Sequence, residues 1–264
     1  MTKIPDTSAA KKQGNFDHIV YVLRANPVTL IAFGMFAMLI FSAIFGPALV
    51  PYDPLATNAQ NALQPPSWDH WFGTDNVGRD VFSRVIVATR LDLSISVAAV
   101  ALSFVVGSIS GCIAGYWGGW LDSILNRFLD TIMAFPLFVL AMGIVAALGN
   151  TIENIIYATA VINMPFYARL VRAEVNIRRD AGFARAAKLA GNSDVRVLAF
   201  HIFPNALPPM MVQVSLNLGW AILNAAGLSF IGLGVSPPTA EWGIMVAEGG
   251  ELYRLRRMVV SGFP

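Results

Sequence analysis

Three amide side chains share one face of a long apolar segment in the second half of the sequence. Gln213 and Asn217 are four residues apart, Asn224 follows seven residues later, and Trp220 lies between the last two. On an α-helix this spacing places all of them on one side. Amides in a membrane helix face other protein or a water-filled cavity. Two interpretations stay open: hydrogen bonds to neighbouring helices, worth on average about 0.6 kcal/mol each, or the lining of a pore.

The other residue types that commonly carry chemistry are few and scattered. Cys112 is the single cysteine and lies in an apolar run, which argues against a disulfide framework and a thiolate metal site. His18, His70 and His201 are far apart, so we interpret each as a surface or interfacial residue rather than a metal ligand. The sequence contains no Gly-Lys dipeptide, and therefore no Walker A phosphate-binding loop. We predict no catalytic residue, no metal and no cofactor. Because the chain lacks a loop that could bind ATP, any energy that its function requires comes from another chain or an ion gradient.

The elements that position the amides are predicted to be membrane-spanning helices. The chain has 264 residues, of which 56% are hydrophobic and 13% charged, whereas about 25% are charged in an ordinary soluble domain. The net charge of +2 is too small to indicate a nucleic-acid partner. Apolar runs of about 20 residues, the length that crosses a bilayer, recur along the chain. The sequence thus predicts an all-α, polytopic membrane helix bundle with five spans: 28–50, 91–116, 128–148, 154–170 and 206–232.

The polar segments between these spans predict the orientation of the chain. Lysine and arginine are densest in residues 171–205, and the positive-inside rule places this loop and the N-terminal tail of residues 1–27 in the cytoplasm. Residues 51–90 form the predicted extracytoplasmic loop, before a core of residues 91–249. In this loop we predict a short helix, capped by Thr74 or Asp75, which carries an i,i+4 pair of Asp80 and Arg84.

The basic cytoplasmic loop has a local pattern of its own. Residues 183–190 favour a helix, Gly191 suits the left-handed position that ends it, and Ser193 or Asp194 can cap a second short helix. One side of the first helix consists of Phe183, Ala186, Ala187 and Ala190, at positions i, i+3, i+4 and i+7. This spacing leaves open whether the face packs under its own bundle or is bound by another protein.

Several longer stretches of the sequence are specific in combination. The stretches are FGTDNVGRDVFSRVIVATRLDLSIS, GCIAGYWGGWLDSILNRFLDTIMAFP, YARLVRAEVNIRRD, FARAAKLAGNSDVRVLAFHIFPNALPP and LSFIGLGVSPPTAEWGIMVAEG. Together they resemble the C-type permease subunits of bacterial dipeptide and oligopeptide ABC importers, and the resemblance covers residues 30–249.

The resemblance implies a type I ABC importer permease of the bacterial inner membrane, surrounded by lipid. Its implied partners are a second homologous permease, two cytoplasmic ATPase subunits that bind the ATP, and an extracytoplasmic substrate-binding protein. Substrates in such families include peptides, nickel and glutathione, with peptides the default. The resemblance also implies that the basic loop holds the coupling helix, which docks on the ATPase. The implied docking residues are Phe183, Arg185, Ala186, Ala187, Gly191 and Asp194.

The sequence departs from the family pattern in three places. Arg185 occupies a position that is usually glutamate, and Ala225 another that is usually acidic. Residues 250–264 hold no apolar run near 18 residues, so that five spans rather than the usual six are expected. Truncation or a shifted reading frame is the interpretation we favour for this end. The alternatives to a permease subunit are thus a truncated, non-functional permease fragment, or a stand-alone ion-coupled carrier, which would require carboxylates within the spans.

Overall fold

The protein is a bundle of helices. The computed structural model describes the backbone of residues 26–261 and the side chains of residues 26–251, and within this range it contains no β-strand. The predicted all-α fold is confirmed. The helices are α1 (Pro27–Leu49), α2 (Val81–Trp117), α3 (Gly119–Ala134), α4 (Leu137–Leu148), α5 (Ile152–Arg178), α6 (Gly182–Leu189), α7 (Asp194–Val197), α8 (Phe203–Phe230) and α9 (Trp242–Ser261), with a π-helical turn at Leu198–Ile202 between α7 and α8.

Three helical segments in the described range are long and apolar enough to cross a membrane, or four if the bent pair of α3 and α4 counts as one span. The three are α1, α2 and the segment Asp194–Phe230, which joins α7, the π turn and α8. Helix α5, which contains the fourth predicted span, does not reach this apolarity. It is nevertheless buried on the side that packs against other helices, at residues such as Ile155, Tyr167 and Val175, whereas Tyr157 and Ile177 are exposed. The sequence therefore predicted one span more than apolarity alone supports.

Helices α2 and α5 form the centre of the bundle and cross at very short range. Gly107, Gly111 and Gly115 lie four residues apart on the face of α2 that contacts α5. A Cβ atom added at Gly111 would overlap the carbonyl oxygen of Ala168, and one at Gly115 would lie 2.8 Å from that of Arg172. Small residues at this spacing allow two membrane helices to approach until their backbones touch.

The predicted third span is not one continuous helix. Helices α3 and α4 meet at an angle of 91°, and the break falls at Phe135 and Pro136. Proline has no N–H to donate, and it drives the residue before it out of the helical conformation. Phe135 accordingly has extended backbone angles. The sequence predicts one span at 128–148 because the apolar composition of this segment continues across the proline.

Helix α2 begins ten residues before the predicted span and absorbs the short helix predicted in the loop. Its N-cap is Asp80, whose Oδ2 accepts a hydrogen bond of 2.8 Å from the Ser83 amide. The other carboxylate oxygen of Asp80 lies 2.9 Å from His70 Nδ1. The predicted pair of Asp80 and Arg84 is therefore wrong, because Asp80 is occupied by the helix end and by the histidine.

Arg84 instead belongs to a buried ionic cluster that connects three parts of the chain. Arg79 and Arg84 both contact Asp75 in the preceding loop, at 2.5 and 3.8 Å. Both also contact Glu248 of α9, at 3.3 and 3.6 Å. The Arg84 side chain is 1% exposed, so its charge depends on these two carboxylates. This cluster fastens the first half of α9 to the loop end of the bundle, the end where residues 50–80 lie.

Helix α8 begins earlier than the predicted fifth span. Pro208 and Pro209 lie inside α8, which starts at Phe203. Phe203 itself donates to the carbonyl of Leu198, five residues back, as a π turn requires. Prolines remove donors from the helical ladder, yet the chain remains helical through Pro208 and Pro209.

Candidate functional site

The end of the bundle opposite the loop carries a compact segment made of α6, α7 and the π turn, which we call the coupling segment (residues 182–202). Gly191 ends α6 with φ of +82°. The amides of Gly191 and Asn192 donate to the carbonyls of Lys188 and Ala187, at 2.9 and 3.3 Å, in the arrangement that closes a helix with a left-handed residue. Ser193 then caps α7. The predicted pair of short helices with a bend is confirmed.

The inner side of the coupling segment packs on the bundle. Ala184 and Ala187, one turn apart on α6, are 0% and 8% exposed. They share an apolar cluster with Val171 and Val175 of α5 and with Met210 of α8. The predicted face of α6 is therefore divided: Ala187 points into the protein, whereas Phe183, Ala186 and Ala190 are exposed. The helix is rotated so that two alanines, which let backbones approach closely, meet the bundle.

A polar contact attaches the same segment to the end of α2. The Tyr116 hydroxyl donates a hydrogen bond of 2.6 Å to Asp194 Oδ1. Lys188 Nζ lies 3.0 Å from the same oxygen and 5.1 Å from the centre of the Tyr116 ring. Hydrogen bonding to Tyr116 and to Asp194 raises the pKa of Lys188. Asp194, a predicted docking residue, thus already has two partners within its own chain, which hold α6 and α7 together.

The outer side of the coupling segment is an exposed apolar surface. Leu189 is 90% exposed, Phe200 73%, Val195 64% and Phe183 44%. These four residues and Ala186 define what we call the coupling surface. Arg185 is exposed beside it and makes no ion pair with any described residue. A cavity of about 640 Å³ opens between α7 and the π turn, next to Val195 and Phe200.

Sequence reasoning did not identify Leu189, Val195 and Phe200. Their signal is present, because each is a large apolar residue in the most basic loop of the chain. Their common exposure, however, depends on how α6, α7 and the π turn fold against one another. Large apolar side chains exposed together on one segment are typical of interaction sites.

The three amides of α8 line one cavity that is open at the surface, where its lining residues Leu216 and Trp220 are 60% and 62% exposed. Its volume is about 360 Å³, and it lies between α4, α5 and α8. Its polar lining includes one further amide, Asn163 of α5, which is not among the residues predicted to line a pore. The lining residues are Leu137, Phe138, Ile162, Asn163, Phe166, Gln213, Leu216, Asn217, Trp220 and Asn224.

The hydrogen bonds of these amides stay within their own helix. Gln213 Nε2 donates to Asn217 Oδ1 at 3.0 Å. Asn217 is 3% exposed, yet its Nδ2 makes no hydrogen bond of good geometry, and neither does the buried Tyr167 hydroxyl beside it. Asn224 has no hydrogen-bond partner among the described side chains. Asn224 therefore remains available to a molecule in the cavity, whereas Asn217 Nδ2 and the Tyr167 hydroxyl are buried.

Comparison with known proteins identifies the chain's family. A model of the binding-protein-dependent transport system inner membrane component matches residues 105–255, more than half of the chain. The chain belongs to this family. A second model, the N-terminal transmembrane domain of oligopeptide transport permease C, matches residues 16–66. The protein is thus a multi-pass permease of the inner membrane, and its family is one of transport proteins rather than enzymes.

Curated relatives extend over most of the chain. The probable D,D-dipeptide transport system permease DdpC of Escherichia coli K12 is 42% identical over 98% of this chain and 88% of its own length. The dipeptide transport system permease DppC of Alkalihalophilus pseudofirmus is 42% identical over 86% of this chain and 74% of its own. The glutathione transport system permease GsiD of Shigella dysenteriae is 42% identical over 80% of this chain and 70% of its own. Neither a stand-alone carrier nor an inert fragment is favoured by these similarities.

Proposed function

We propose that this permease imports peptides and forms half of a translocation pathway that a cytoplasmic ATPase drives. The proposal takes the peptide class from the names of relatives that transport D,D-dipeptides, dipeptides and glutathione. In this proposal the N-terminus and the coupling segment face the cytoplasm. The loop end faces outward, where a substrate-binding protein delivers the peptide.

The coupling surface is the observation that carries this proposal. Four large apolar side chains are exposed on a segment whose inner side is fixed to α2, α5 and α8. Apolar side chains in such an arrangement are stabilised by burial in a partner, at about 25 cal/mol per Å². A partner that moves this segment moves three helices of the bundle with it. The ATPase subunit of the importer is the partner we propose.

The remaining partners follow from the same proposal. The full importer contains a second homologous permease, two ATPase subunits and the binding protein. ATP binds to the ATPase subunits, and this chain itself binds no cofactor and carries out no catalysis. Its contribution is mechanical: the coupling segment receives the movement and the helices around the cavity change their arrangement.

Site-directed crosslinking tests the docking part of the proposal. Ala186→Cys and Leu189→Cys, each in a chain in which Cys112 is replaced by alanine, should be labelled by a benzophenone maleimide and should crosslink to the ATPase on illumination. Ala187 is unsuitable for this purpose because it is 8% exposed. The readout is a product, in membranes that contain the whole importer, which antibodies against both chains recognise.

Leu63→Cys is the matched control, because Leu63 is 58% exposed and lies at the opposite end of the bundle. It should be labelled equally but give no product with the ATPase. Labelling at Ala186 and Leu189 without any crosslink to the ATPase would remove the docking proposal.

The cavity of the three amides is the part of the translocation pathway that we assign to this chain. Amides donate and accept hydrogen bonds without charge, as peptide groups do, and aromatic side chains beside them contact apolar parts of a substrate. Gln213, Asn217 and Asn224 together with Asn163 provide four amides in one cavity. This composition suits a peptide backbone that passes with low affinity.

Asn224→Leu tests this assignment. Asn224 lines the cavity and makes no hydrogen bond to the rest of the described chain, so its replacement should leave folding intact. We expect peptide uptake, measured with a mixture of labelled dipeptides, to fall about tenfold, which corresponds to the loss of one hydrogen bond to substrate. Ser215→Leu, on an exposed side of the same helix, should transport normally. A folded Asn224→Leu protein with normal uptake would contradict the assignment.

A further inference from the structure

Two carboxyl groups are buried at the point where α9 begins. Asp92 lies three turns into α2 and is 1% exposed, and Glu241, the residue before α9, is 0% exposed. They are separated by 149 positions in the sequence. Both carboxyl groups accept hydrogen bonds from backbone amides in the first turn of α9, those of Trp242 and Ile244, which places them in the same buried site. Neither residue belongs to the coupling surface or to the cavity of the amides.

One oxygen of each carboxyl group is satisfied, and one is not. Asp92 Oδ2 accepts a hydrogen bond of 3.2 Å from the Trp242 amide. Glu241 Oε2 accepts one of 2.8 Å from the Ile244 amide, which is the usual arrangement at a helix start. Asp92 Oδ1 and Glu241 Oε1 are buried and have no donor among the described residues. Two buried acceptors without donors cost free energy unless a proton lies between them.

The charged groups nearby do not compensate this pair. Arg84, two turns earlier on α2, is held by Asp75 and Glu248. Arg79 is held by the same two carboxylates. Arg90 is exposed and makes no ion pair with a described residue. No cation in the described range therefore contacts Asp92 or Glu241.

His70 and Asp80, the remaining titratable pair at this end of the bundle, bind each other. No neighbouring cation therefore neutralises a negative charge on Asp92 or Glu241 within the described part of the chain. Two adjacent buried carboxylates cannot both be ionised, because burial and mutual repulsion each disfavour the second charge. Such a pair shares one proton and titrates as a unit.

We propose that Asp92 and Glu241 form a proton-binding site, and that the shared proton fastens the start of α9 to α2. The contacts around the pair are closely fitted. The Trp242 indole donates a hydrogen bond of 3.1 Å to the Val85 carbonyl. A Cβ atom at Gly243 would overlap the carbonyl oxygen of Ala226 in α8. Loss of the proton leaves two facing negative charges in this seam, which pushes α9 away from α2 and α8.

Infrared spectroscopy of the purified importer tests the site directly. A protonated carboxyl group has a carbonyl band that a carboxylate lacks. We expect this band in the wild-type protein at about pH 7, where a free aspartate or glutamate is ionised. In Glu241→Gln the amide can donate to Asp92 in place of the proton, so the band should disappear. Asp92→Asn, the second variant, should lose it in the same way.

Glu251→Gln is the matched control, because Glu251 lies on the same helix but is exposed. It should retain the band. Absence of the band from the wild-type protein at about pH 7 would overturn the proposal. So would a band that persists unchanged in both Glu241→Gln and Asp92→Asn.

Thermal unfolding provides a second measurement. The folded pair keeps a proton that the unfolded chain releases above about pH 4. The contribution of this pair to stability should therefore be fully present at low pH and be lost as the pH rises, by up to about tenfold in the unfolding equilibrium constant per pH unit. Between about pH 6 and pH 9 the wild-type midpoint should fall more steeply than that of Glu241→Gln. Equal slopes for the two proteins would contradict a proton held by this pair.

Discussion

Replacement of Gly111 by leucine should prevent α2 and α5 from packing, with the loss of most folded protein. A Cβ atom at this position already overlaps the Ala168 carbonyl oxygen and would lie 3.0 Å from the Val171 Cβ. Backbone cannot move aside as the end of a flexible side chain can. Overpacking of a core costs 1 to 3 kcal/mol and occasionally more, and we expect the upper end, about 3 kcal/mol, or roughly a hundredfold in the folding equilibrium.

The measurement is the fraction of detergent-solubilised protein that elutes as a single species, together with its thermal midpoint. Gly143→Leu is the control, since Gly143 is also in a helix but has nothing within 4 Å of an added Cβ atom. It should elute as the wild type does. A Gly111→Leu protein that is as abundant and stable as Gly143→Leu would show that the two helices can separate without cost.

Replacement of Leu189 by aspartate should weaken the binding of the ATPase, and with it peptide uptake and stimulated ATP hydrolysis, while the permease stays folded. Leu189 is 90% exposed in the free chain, so the change costs the isolated permease little. In the complex it would bury a charge against an apolar groove. Loss of a central apolar contact commonly costs 2 kcal/mol or more, which is about 30-fold in affinity for the ATPase. Peptide uptake and stimulated ATP hydrolysis should fall by at least about this factor.

Leu63→Asp provides the comparison for this prediction. Leu63 is 58% exposed at the loop end, and its φ of +57° suits aspartate better than leucine. It should leave co-purification of the ATPase and uptake unchanged. Normal co-purification of the ATPase with Leu189→Asp would show that the coupling surface does not contact the ATPase. A contact through Arg185 alone would not rescue the proposal.

The two proposed functional regions are physically connected. The apolar cluster under the coupling segment includes Val171 of α5 and Met210 of α8. Asn163 lies two turns before Val171 on α5, and Gln213 lies one turn after Met210 on α8. Both residues line the cavity. In the proposed mechanism these two helices connect the coupling segment to the cavity, because packed interiors resist compression.

Ala225 and Arg185, which stand at positions that are usually acidic in the family, both fit the packing of this chain. Ala225 is 2% exposed in an apolar cluster that includes Ile95 and Leu228. A carboxylate at this position would be buried and would need a partner. Arg185, by contrast, is exposed, where a change of charge affects a partner rather than the fold.

Local sequence patterns determined much of this protein. Apolar runs predicted the first two spans and the last one, because a helix in lipid must satisfy its backbone internally and cover itself with apolar side chains. Gly191 and Ser193 predicted the two short helices, because left-handed backbone and helix caps depend on residues within one turn. The spacing of Gln213, Asn217 and Asn224 predicted one shared face for the same reason.

The tertiary structure alone decided which faces meet. The glycines at 107, 111 and 115 were recognisable as a pattern, but only packing shows that they receive α5. The rotation of α6 buries Ala187 and exposes Leu189. Asp92 meets Glu241 across 149 positions of sequence, and Arg84 meets Glu248 across 164. Helix periodicity fixes the neighbours within one element, whereas contacts between elements depend on how the whole bundle closes, and no local pattern of residues contains that information.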